Sequence, residues 1–184
     1  EAFVRGDVPM TKREVRAAIP GLLELQAGGV VWDVGAGTGS VSVELARLDP
    51  TVQVYAVEQK PEACGLIQQN RIRFGVYNLT LVPGGAPDAL SALPAPDAVF
   101  VGGSGGRLPD VLRVILSKNP AARVCVSAIA AETFAEAAGL LSRAPWTGLD
   151  IIQIAAARSR KAGPYHLMTG QNPIWLLSAR GTTL

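Results

Sequence analysis

A glycine-rich turn with an acidic residue on each side is the first feature of this sequence that could do chemistry. The turn reads Asp33-Val34-Gly35-Ala36-Gly37-Thr38-Gly39-Ser40 and lies between a strand-like stretch and a helix-like stretch. Glycines lack a Cβ, so the backbone can turn tightly and approach a ligand closely. An ordinary glycine-rich turn is the bland alternative. The position between a strand and a helix favours the ligand-binding turn of an open α/β sheet.

The spacing of the glycines distinguishes two nucleotide-like ligands. A dinucleotide fingerprint, G-x-G-x-x-G, that began at Gly35 would need a third glycine at position 40, which is Ser40. Asp33 would repel a pyrophosphate but could attract a cationic amino-acid ligand. Glu58 ends the next strand-like stretch, 19 residues after Gly39, where a carboxylate can bind ribose hydroxyls; its alternative is a solvated charge. The pattern favours S-adenosylmethionine over NAD.

Composition argues against several other chemistries. The 184 residues include one histidine and two widely separated cysteines, so the sequence predicts neither a metal site nor a disulfide framework. A net charge of +2 and 5% aromatic residues argue against a nucleic-acid partner. No apolar run has the length of a membrane span, and no signal peptide is visible. We therefore expect a cytoplasmic protein with no membrane partner.

Alternating strand-like and helix-like stretches must position the turn. The patterns predict strands at 29–34, 52–57, 78–82, 97–101, 122–127, 147–157 and 174–179, and helices at 40–48, 61–73, 109–117 and 131–143. This order predicts a Rossmann-like α/β fold with a seven-stranded, mostly parallel sheet. A long polar connection, 158–172, precedes the last strand, which we expect to be antiparallel. Residues 11–25 look helical with an interruption at Pro20-Gly21.

Four more motifs narrow the class of protein. They cover residues 8–16, residues 84–90, residues 97–105, and His166-Leu167 with Asn172-Pro173. Together with the glycine turn, they resemble class I S-adenosylmethionine-dependent methyltransferases over nearly the whole chain. Within that class they look like the decarboxylating precorrin C(15)-methyltransferases of cobalamin biosynthesis. That resemblance implies methylation of a precorrin at the C(15) bridge carbon with decarboxylation of the ring C acetate.

The resemblance also implies a cofactor site and an assembly. With the turn and Glu58 included, the predicted cofactor-binding residues are Thr11, Asp33, Gly35, Ala36, Gly37, Thr38, Gly39, Glu58, Gly85 and Ala86. We expect residues 1–28 to be a helical segment that completes this site and residues 29–184 to be the methyltransferase domain, one domain overall. Similar proteins are typically homotetramers. Some carry an N-terminal C(5)-methyltransferase domain, and a start at Glu1 without Met suits an excised C-terminal half.

A precorrin is a flat macrocycle with carboxylate side chains, so its site should be open and fringed with basic groups. The predicted substrate-binding residues are Gly102, Gly103, Ser104, Arg107, Arg158 and Lys161, with Lys12, Arg13 and Arg160 as further basic candidates. Arginine suits bidentate carboxylate contacts, whereas a solvated basic loop is the alternative. Tyr165 and His166 are weak candidates for a proton donor. We expect no single side chain to be indispensable for methyl transfer, and the catalytic residues stay open.

Three alternatives remain at this stage. An RNA methyltransferase would share the fold, but the low charge and scarce aromatic residues count against it. An NAD-dependent oxidoreductase is disfavoured by Ser40 and Asp33. A non-catalytic scaffold that kept the turn is excluded only by an assay.

Overall fold

The structure, a computed structural model, describes residues 2–182. Glu1 and the last two residues of the predicted 29–184 domain lie outside this range. The α-helices are α1 (Arg13–Leu23), α2 (Ser40–Leu48), α3 (Pro61–Phe74), α4 (Leu108–Lys118) and α5 (Ala131–Leu141), with a short 3-10 helix at Asp88–Leu90. The strands are β1 (Val30–Val34), β2 (Gln53–Glu58), β3 (Leu79–Pro83), β4 (Ala98–Val101), β5 (Arg123–Ala128), β6 (Trp146–Ile154), β7 (Ala157–Ala162), β8 (Tyr165–Gly170) and β9 (Ile174–Gly181).

Seven of the strands form one sheet in the order β3-β2-β1-β4-β5-β9-β6. The five strands β1 to β5 run parallel to one another, whereas β9 runs antiparallel to both β5 and β6. The predicted fold, mostly parallel with an antiparallel last strand, is confirmed. β1 lies between β2 and β4 in the sheet. From β1 the chain first builds β2 and β3 on one side and then returns to build β4 and β5 on the other side, so the strand order reverses beside β1. In open α/β sheets, ligands bind at the carboxyl ends of the strands beside such a switch point.

Helices cover both faces of the sheet because successive strand residues point to opposite sides. On one face, Trp32 and Val99 belong to a buried cluster with Ile115 of α4 and Leu141 of α5. On the other face, Val31 and Phe100 belong to a cluster with residues of α1, α2 and α3, among them Ile19, Leu45 and Ile67. The two cores hold the strand ends in register, with Val34 paired to Val57 of β2 and to Val101 of β4.

The predicted break at Pro20-Gly21 is wrong, since α1 continues through Pro20 to Leu23. Proline removes one backbone donor inside the helix and costs about 3 kcal/mol. Val15, Ile19 and Leu23 are at most 1% exposed on the same helix. Burying each of these side chains contributes about 1.5–3 kcal/mol. Tertiary packing therefore outweighs the local preference.

The predicted long loop at 158–172 is also wrong, because β7 and β8 form an antiparallel hairpin there. Gly163 has φ +60° in the turn, a conformation that glycine adopts at no steric cost. All six residues of β8 are exposed, as are the first five of β7. Strands that are exposed on both faces lack the apolar alternation by which a strand is recognised in sequence.

Candidate active site

A cleft of about 590 Å³ opens at the carboxyl ends of the central strands. Its walls come from the loops that follow β1, β2, β3 and β4, and from residues 8–12, which end the N-terminal segment formed by residues 2–12. These loops lie together because the parallel strands end at one edge of the sheet. The switch point therefore carries a large concave surface, which agrees with the rule for open α/β sheets.

The glycine turn is held to β2 by its own backbone. Gly35 N donates to Val57 O at 2.9 Å and Ala36 N donates to the same oxygen at 3.1 Å. Gly35 has φ +72°, and a Cβ there would lie 2.5 Å from Gly103 O. A side chain at position 35 is therefore excluded both by backbone conformation and by the loop that follows β4.

Glu58, at the end of β2, has a buried carboxylate that hydrogen bonds hold in one orientation. It is 8% exposed, and it accepts hydrogen bonds from the backbone N–H groups of Gly37 at 2.9 Å, Gln59 at 2.8 Å and Lys60 at 2.9 Å. Its main-chain oxygen also accepts a bond from Gly84 N at 2.9 Å. Since Glu58 lines the cleft, the alternative of a freely solvated charge does not describe it.

Asp33 lies behind the turn rather than in the cleft wall. It is 1% exposed, one carboxylate oxygen accepts a hydrogen bond from the Ser42 hydroxyl, and Oδ1 has no hydrogen-bond partner among the described residues. Burial raises the pKa of Asp33 to about 6, against the opposing effect of the Ser42 bond. Direct contact between Asp33 and a cationic ligand therefore stays a prediction.

The N-terminal segment is fastened over the turn by a side chain that sequence reasoning missed. Asn70 of α3 is fully buried. Its amide accepts from Val4 N at 2.7 Å and donates to Val4 O at 3.1 Å and to Thr38 O at 2.9 Å. The signal was available, because Asn70 shares the buried face of α3 with Ala63, Leu66 and Ile67, where a polar residue needs a partner.

Arg16 is a second missed residue. Its side chain is 2% exposed and forms an ion pair with Glu44 at 2.6 Å. Arg16 also donates to Thr11 O at 2.6 Å, and its guanidinium lies 5.0 Å from the centre of the Phe3 ring. Arg16 thus joins α1, α2 and the N-terminal segment, and it places Thr11 in the cleft.

Another part of the cleft is nearly free of side chains. A Cβ added at Gly103 or Gly105, which both line the cleft, would meet nothing within 4 Å. Arg107 ends this loop, with NH1 3.2 Å from Asp88 Oδ2 and Nε 3.4 Å from Asp110 Oδ2. Both Arg107 and Asp88 line the cleft.

The structure brings many, but not all, of the predicted site residues to the cleft. The predicted residues that line it are Thr11, Gly35, Ala36, Gly37, Glu58, Gly85, Ala86, Gly102, Gly103, Ser104 and Arg107. The predicted residues that do not line it are Asp33, Thr38, Gly39, Arg158, Lys161, Tyr165 and His166. Lys60 and Asp88 are charged lining residues that the sequence did not suggest, while Lys12 was among the further basic candidates.

The residues of the β7–β8 hairpin lie away from the cleft, and Arg158 of this hairpin binds α1 instead. Arg158 donates two hydrogen bonds of 2.8 Å to the carboxylate of Glu14 on α1. Lys161, Tyr165 and His166 lie further along β7 and β8 and are exposed. Arg158 and Lys161 therefore lie outside the lining of this cleft, and substrate contacts by these two side chains stay a prediction.

Residues 2–182 contain neither a cluster of metal-ligating side chains nor a membrane-spanning helix. No group of three or more His, Cys, Asp or Glu side chains could hold a metal ion. No helix within this range is long and apolar enough to cross a membrane.

The sheet order, the antiparallel β9, the glycine turn and Glu58 together define a Rossmann-like fold of the class I S-adenosylmethionine-dependent methyltransferases. A precorrin methyltransferase domain matches residues 1–180 of this sequence. The chain belongs to the precorrin methyltransferase family.

Relatives with curated names agree with this membership. The chain is 36% identical over 182 residues to the cobalt-precorrin-6B C(15)-methyltransferase (decarboxylating) of Salmonella typhimurium, covering 98% of this chain and 94% of that protein. It is 38% identical over 173 residues to the precorrin-6Y C(5,15)-methyltransferase [decarboxylating] of a Sinorhizobium species, covering 94% of this chain and 40% of the longer protein. The crystal structure of a precorrin-6y C5,15-methyltransferase from Geobacter metallireducens superposes with a TM-score of 0.90 at 32% identity, covering 98% of this chain and 93% of that chain.

Proposed function

We propose that this protein transfers a methyl group from S-adenosylmethionine to the C(15) bridge carbon of a precorrin and removes the ring C acetate carboxyl group as carbon dioxide. The observation that carries the proposal is the division of the cleft. One part is a backbone-bonded turn with a buried carboxylate, and the other is a glycine loop with open space. Family membership and the names of the relatives support the same reaction.

The turn and Glu58 fit the cofactor. Gly35 leaves no room for a Cβ, so the backbone itself forms the wall that a ligand would contact. Glu58 is held by three backbone donors and can accept hydrogen bonds from ribose hydroxyls without reorienting. We assign Thr11, Gly35, Ala36, Gly37, Glu58, Gly85 and Ala86 to this cofactor site. The cofactor supplies a methyl group on a sulfonium, which is a good leaving group.

The role of the protein is mainly to position the reactants. No histidine or cysteine is among the described residues that line the cleft, and the electron-rich bridge carbon of a reduced tetrapyrrole needs little acid–base help. Orientation at near-attack distance and exclusion of water are effects that a preformed cleft supplies. Gly103 and Gly105 leave space for a flat ring, and Arg107 and Lys12 offer cations for its carboxylates. The carbon that loses carbon dioxide would take up a proton from solvent or from an exposed side chain.

A mass-spectrometric assay tests this function. The protein is incubated with methyl-deuterated S-adenosylmethionine and a reduced precorrin that retains its ring C acetate. The expected product has gained one labelled methyl group and lost one carbon dioxide. A parallel incubation with transfer and ribosomal RNA should give no labelled nucleoside. Labelled RNA without a labelled tetrapyrrole would replace the proposal with an RNA methyltransferase.

We also infer, from the family resemblance, that the protein works in the cytoplasm as a homotetramer. The exposed β7–β8 hairpin is the segment we expect at the subunit contacts, with Tyr165, Leu167 and Met168 each more than half exposed. Light scattering coupled to size-exclusion chromatography should give four times the chain mass. A monomer at micromolar concentration would contradict this inference.

A further inference from the structure

The ion pair between Arg107 and Asp88 joins two loops at the exposed edge of the cleft. Asp88 begins the short 3-10 helix after β3, and Arg107 immediately precedes α4. The Asp88 side chain is 82% exposed and that of Arg107 is 48% exposed. An ion pair with this exposure contributes little to folding stability. Both residues nevertheless line the cleft, so the pair is better explained by what the cleft binds.

A second carboxylate fixes the direction of the Arg107 side chain. Asp110 lies 3.4 Å from Arg107 Nε and accepts a 2.8 Å hydrogen bond from Arg113 NH1. Asp110 is outside the described cleft lining, whereas Asp88 is part of it. Asp110 therefore holds Arg107 from the helix side, and Asp88 occupies a terminal nitrogen of the guanidinium on the cleft side.

The space around the pair allows a larger carboxylate to enter. The loop that leads to Arg107 contains Gly103, Gly105 and Gly106, and a Cβ at any of these would meet no atom within 4 Å. Arg107 is steadied by its backbone N–H bond to Ser104 O at 3.1 Å. A guanidinium accepts a carboxylate through two parallel hydrogen bonds, and an incoming carboxylate would keep the charge balance that Asp88 provides.

We propose that Arg107 and Asp88 form a carboxylate-exchange subsite, in which a carboxylate of the tetrapyrrole replaces Asp88 on Arg107. This inference rests on the proposed function and names the side chain that selects its substrate class. Asp88 acts as an internal competitor, so a ligand that lacks a carboxylate at this position gains nothing from displacing it. The pair thus favours a macrocycle with a carboxylate at this position over a macrocycle without one.

Kinetics with the precorrin substrate test the exchange. Asp88→Asn removes the competitor, and KM for the precorrin should fall about threefold, the gain expected from an exposed pair. Arg107→Met removes the receptor, and KM should rise about tenfold, with a smaller change in kcat. In the double variant, Asp88→Asn should no longer lower KM, because its effect depends on Arg107. Arg113→Met is the matched control, an exposed arginine of α4 bound to Asp110, and its KM should stay within twofold of the wild-type value.

Two further measurements separate the possible failures. The Kd for S-adenosylhomocysteine should be unchanged in Asp88→Asn; a weaker Kd would assign Asp88 to the cofactor site and overturn the exchange. If the wild-type protein turns over a precorrin but KM is unchanged or raised in Asp88→Asn, the exchange fails while the proposed function stands. If the wild type produces no methylated precorrin, the proposed function fails. In that case, binding of uroporphyrin, a tetrapyrrole with carboxylate side chains, tests the exchange without the reaction. Tighter binding in Asp88→Asn and weaker binding in Arg107→Met would support the exchange. Equal binding in both variants would overturn the exchange.

Discussion

The two parts of the cleft are built in different ways. In the part that we assign to the cofactor, backbone groups make the contacts: the N–H of Gly37 binds Glu58, and those of Gly35 and Ala36 bind Val57. In the part that we assign to the substrate, the charged groups are exposed side chains, chiefly Arg107 and Asp88, which lie on two different loops.

This difference shows how one cleft can serve two ligands of different size. A rigid backbone cradle costs no reorganisation when a small cofactor binds. Exposed ion pairs can exchange partners at little cost, which suits a large macrocycle with several carboxylates. Substitutions should therefore have large effects in the cofactor part and small, graded effects in the substrate part.

The largest effect is expected for Gly35→Ala. The new Cβ would lie 2.5 Å from Gly103 O at a residue with φ +72°, so the turn and the β4 loop must separate. We expect a loss of about 3 kcal/mol in the free energy of unfolding and at least a hundredfold weaker binding of S-adenosylhomocysteine by calorimetry. Gly103→Ala is the matched control, because its Cβ meets open space and cofactor affinity should stay within twofold. Equal effects of the two substitutions would remove the distinction between the parts.

A pH effect of about the same size is expected at Asp33. Burial raises its pKa from an ordinary 3.8 to about 6, so the folded protein holds this proton more tightly than the unfolded chain. The stabilisation from the proton is complete below pH 3.8 and is lost as the pH rises through 6. A pKa difference of this size corresponds to about 3 kcal/mol.

Urea denaturation of the wild type and Asp33→Asn measures this effect. The wild-type free energy of unfolding, relative to that of Asp33→Asn, should fall between pH 4 and pH 7 and then level off. Ser42→Ala should move the fall to higher pH, because the Ser42 hydroxyl stabilises the charged carboxylate. A difference that is flat with pH would show that Asp33 does not titrate in this range.

A smaller effect is expected for Asn70→Ala. Removing the amide leaves Val4 N, Val4 O and Thr38 O without their partner, at a cost of about 2 kcal/mol. Because Asn70 fastens the N-terminal segment to the turn, cofactor affinity should fall about tenfold. Asn78→Ala is the control, because Asn78 likewise makes three hydrogen bonds to backbone groups, donating to the oxygens of Ala46, Asp49 and Val52. None of these residues lines the cleft. Its loss should lower stability and leave cofactor affinity unchanged.

The smallest effect is expected for Arg158→Gln in the hairpin. The exposed pair with Glu14 contributes little to stability, so chemical denaturation should detect almost no change in the free energy of unfolding. Arg16→Met is the contrasting variant, since Arg16 is buried and paired with Glu44, and its loss should cost about 3 kcal/mol. Similar losses for both would mean that the hairpin is more tightly integrated than its exposure indicates.

The sequence predicted the glycine turn and Glu58 at the cleft because backbone geometry constrains residue type. Gly35 must be glycine. Short-range patterns in the sequence predict the buried strand before it and the apolar helix after it. The mostly parallel sheet followed from the alternation of strands and helices, and its antiparallel last strand from the long connection that precedes it. Asn70 and Arg16 were missed because their partners, Val4 and Glu44, are distant in sequence and a single polar residue on an apolar face does not name its partner.

The substrate part was harder to predict because charge alone does not place a side chain. The basic residues 158–161 looked like a fringe of the cleft, yet exposed strands folded them into a hairpin that Glu14 ties to α1. Lys60 and Asp88 are ordinary surface charges in sequence, and only the loops that meet at the sheet edge bring them into the cleft.

A crystal structure with S-adenosylhomocysteine tests the central claim most directly. The account predicts the ligand against residues 35–37 with its ribose hydroxyls on Glu58, and a backbone that moves by less than about 1 Å on binding. The hydrogen bonds from Gly37, Gln59 and Lys60 to Glu58 should remain. A ligand bound elsewhere, or a Glu58 carboxylate that leaves these three donors to reach it, would contradict the account.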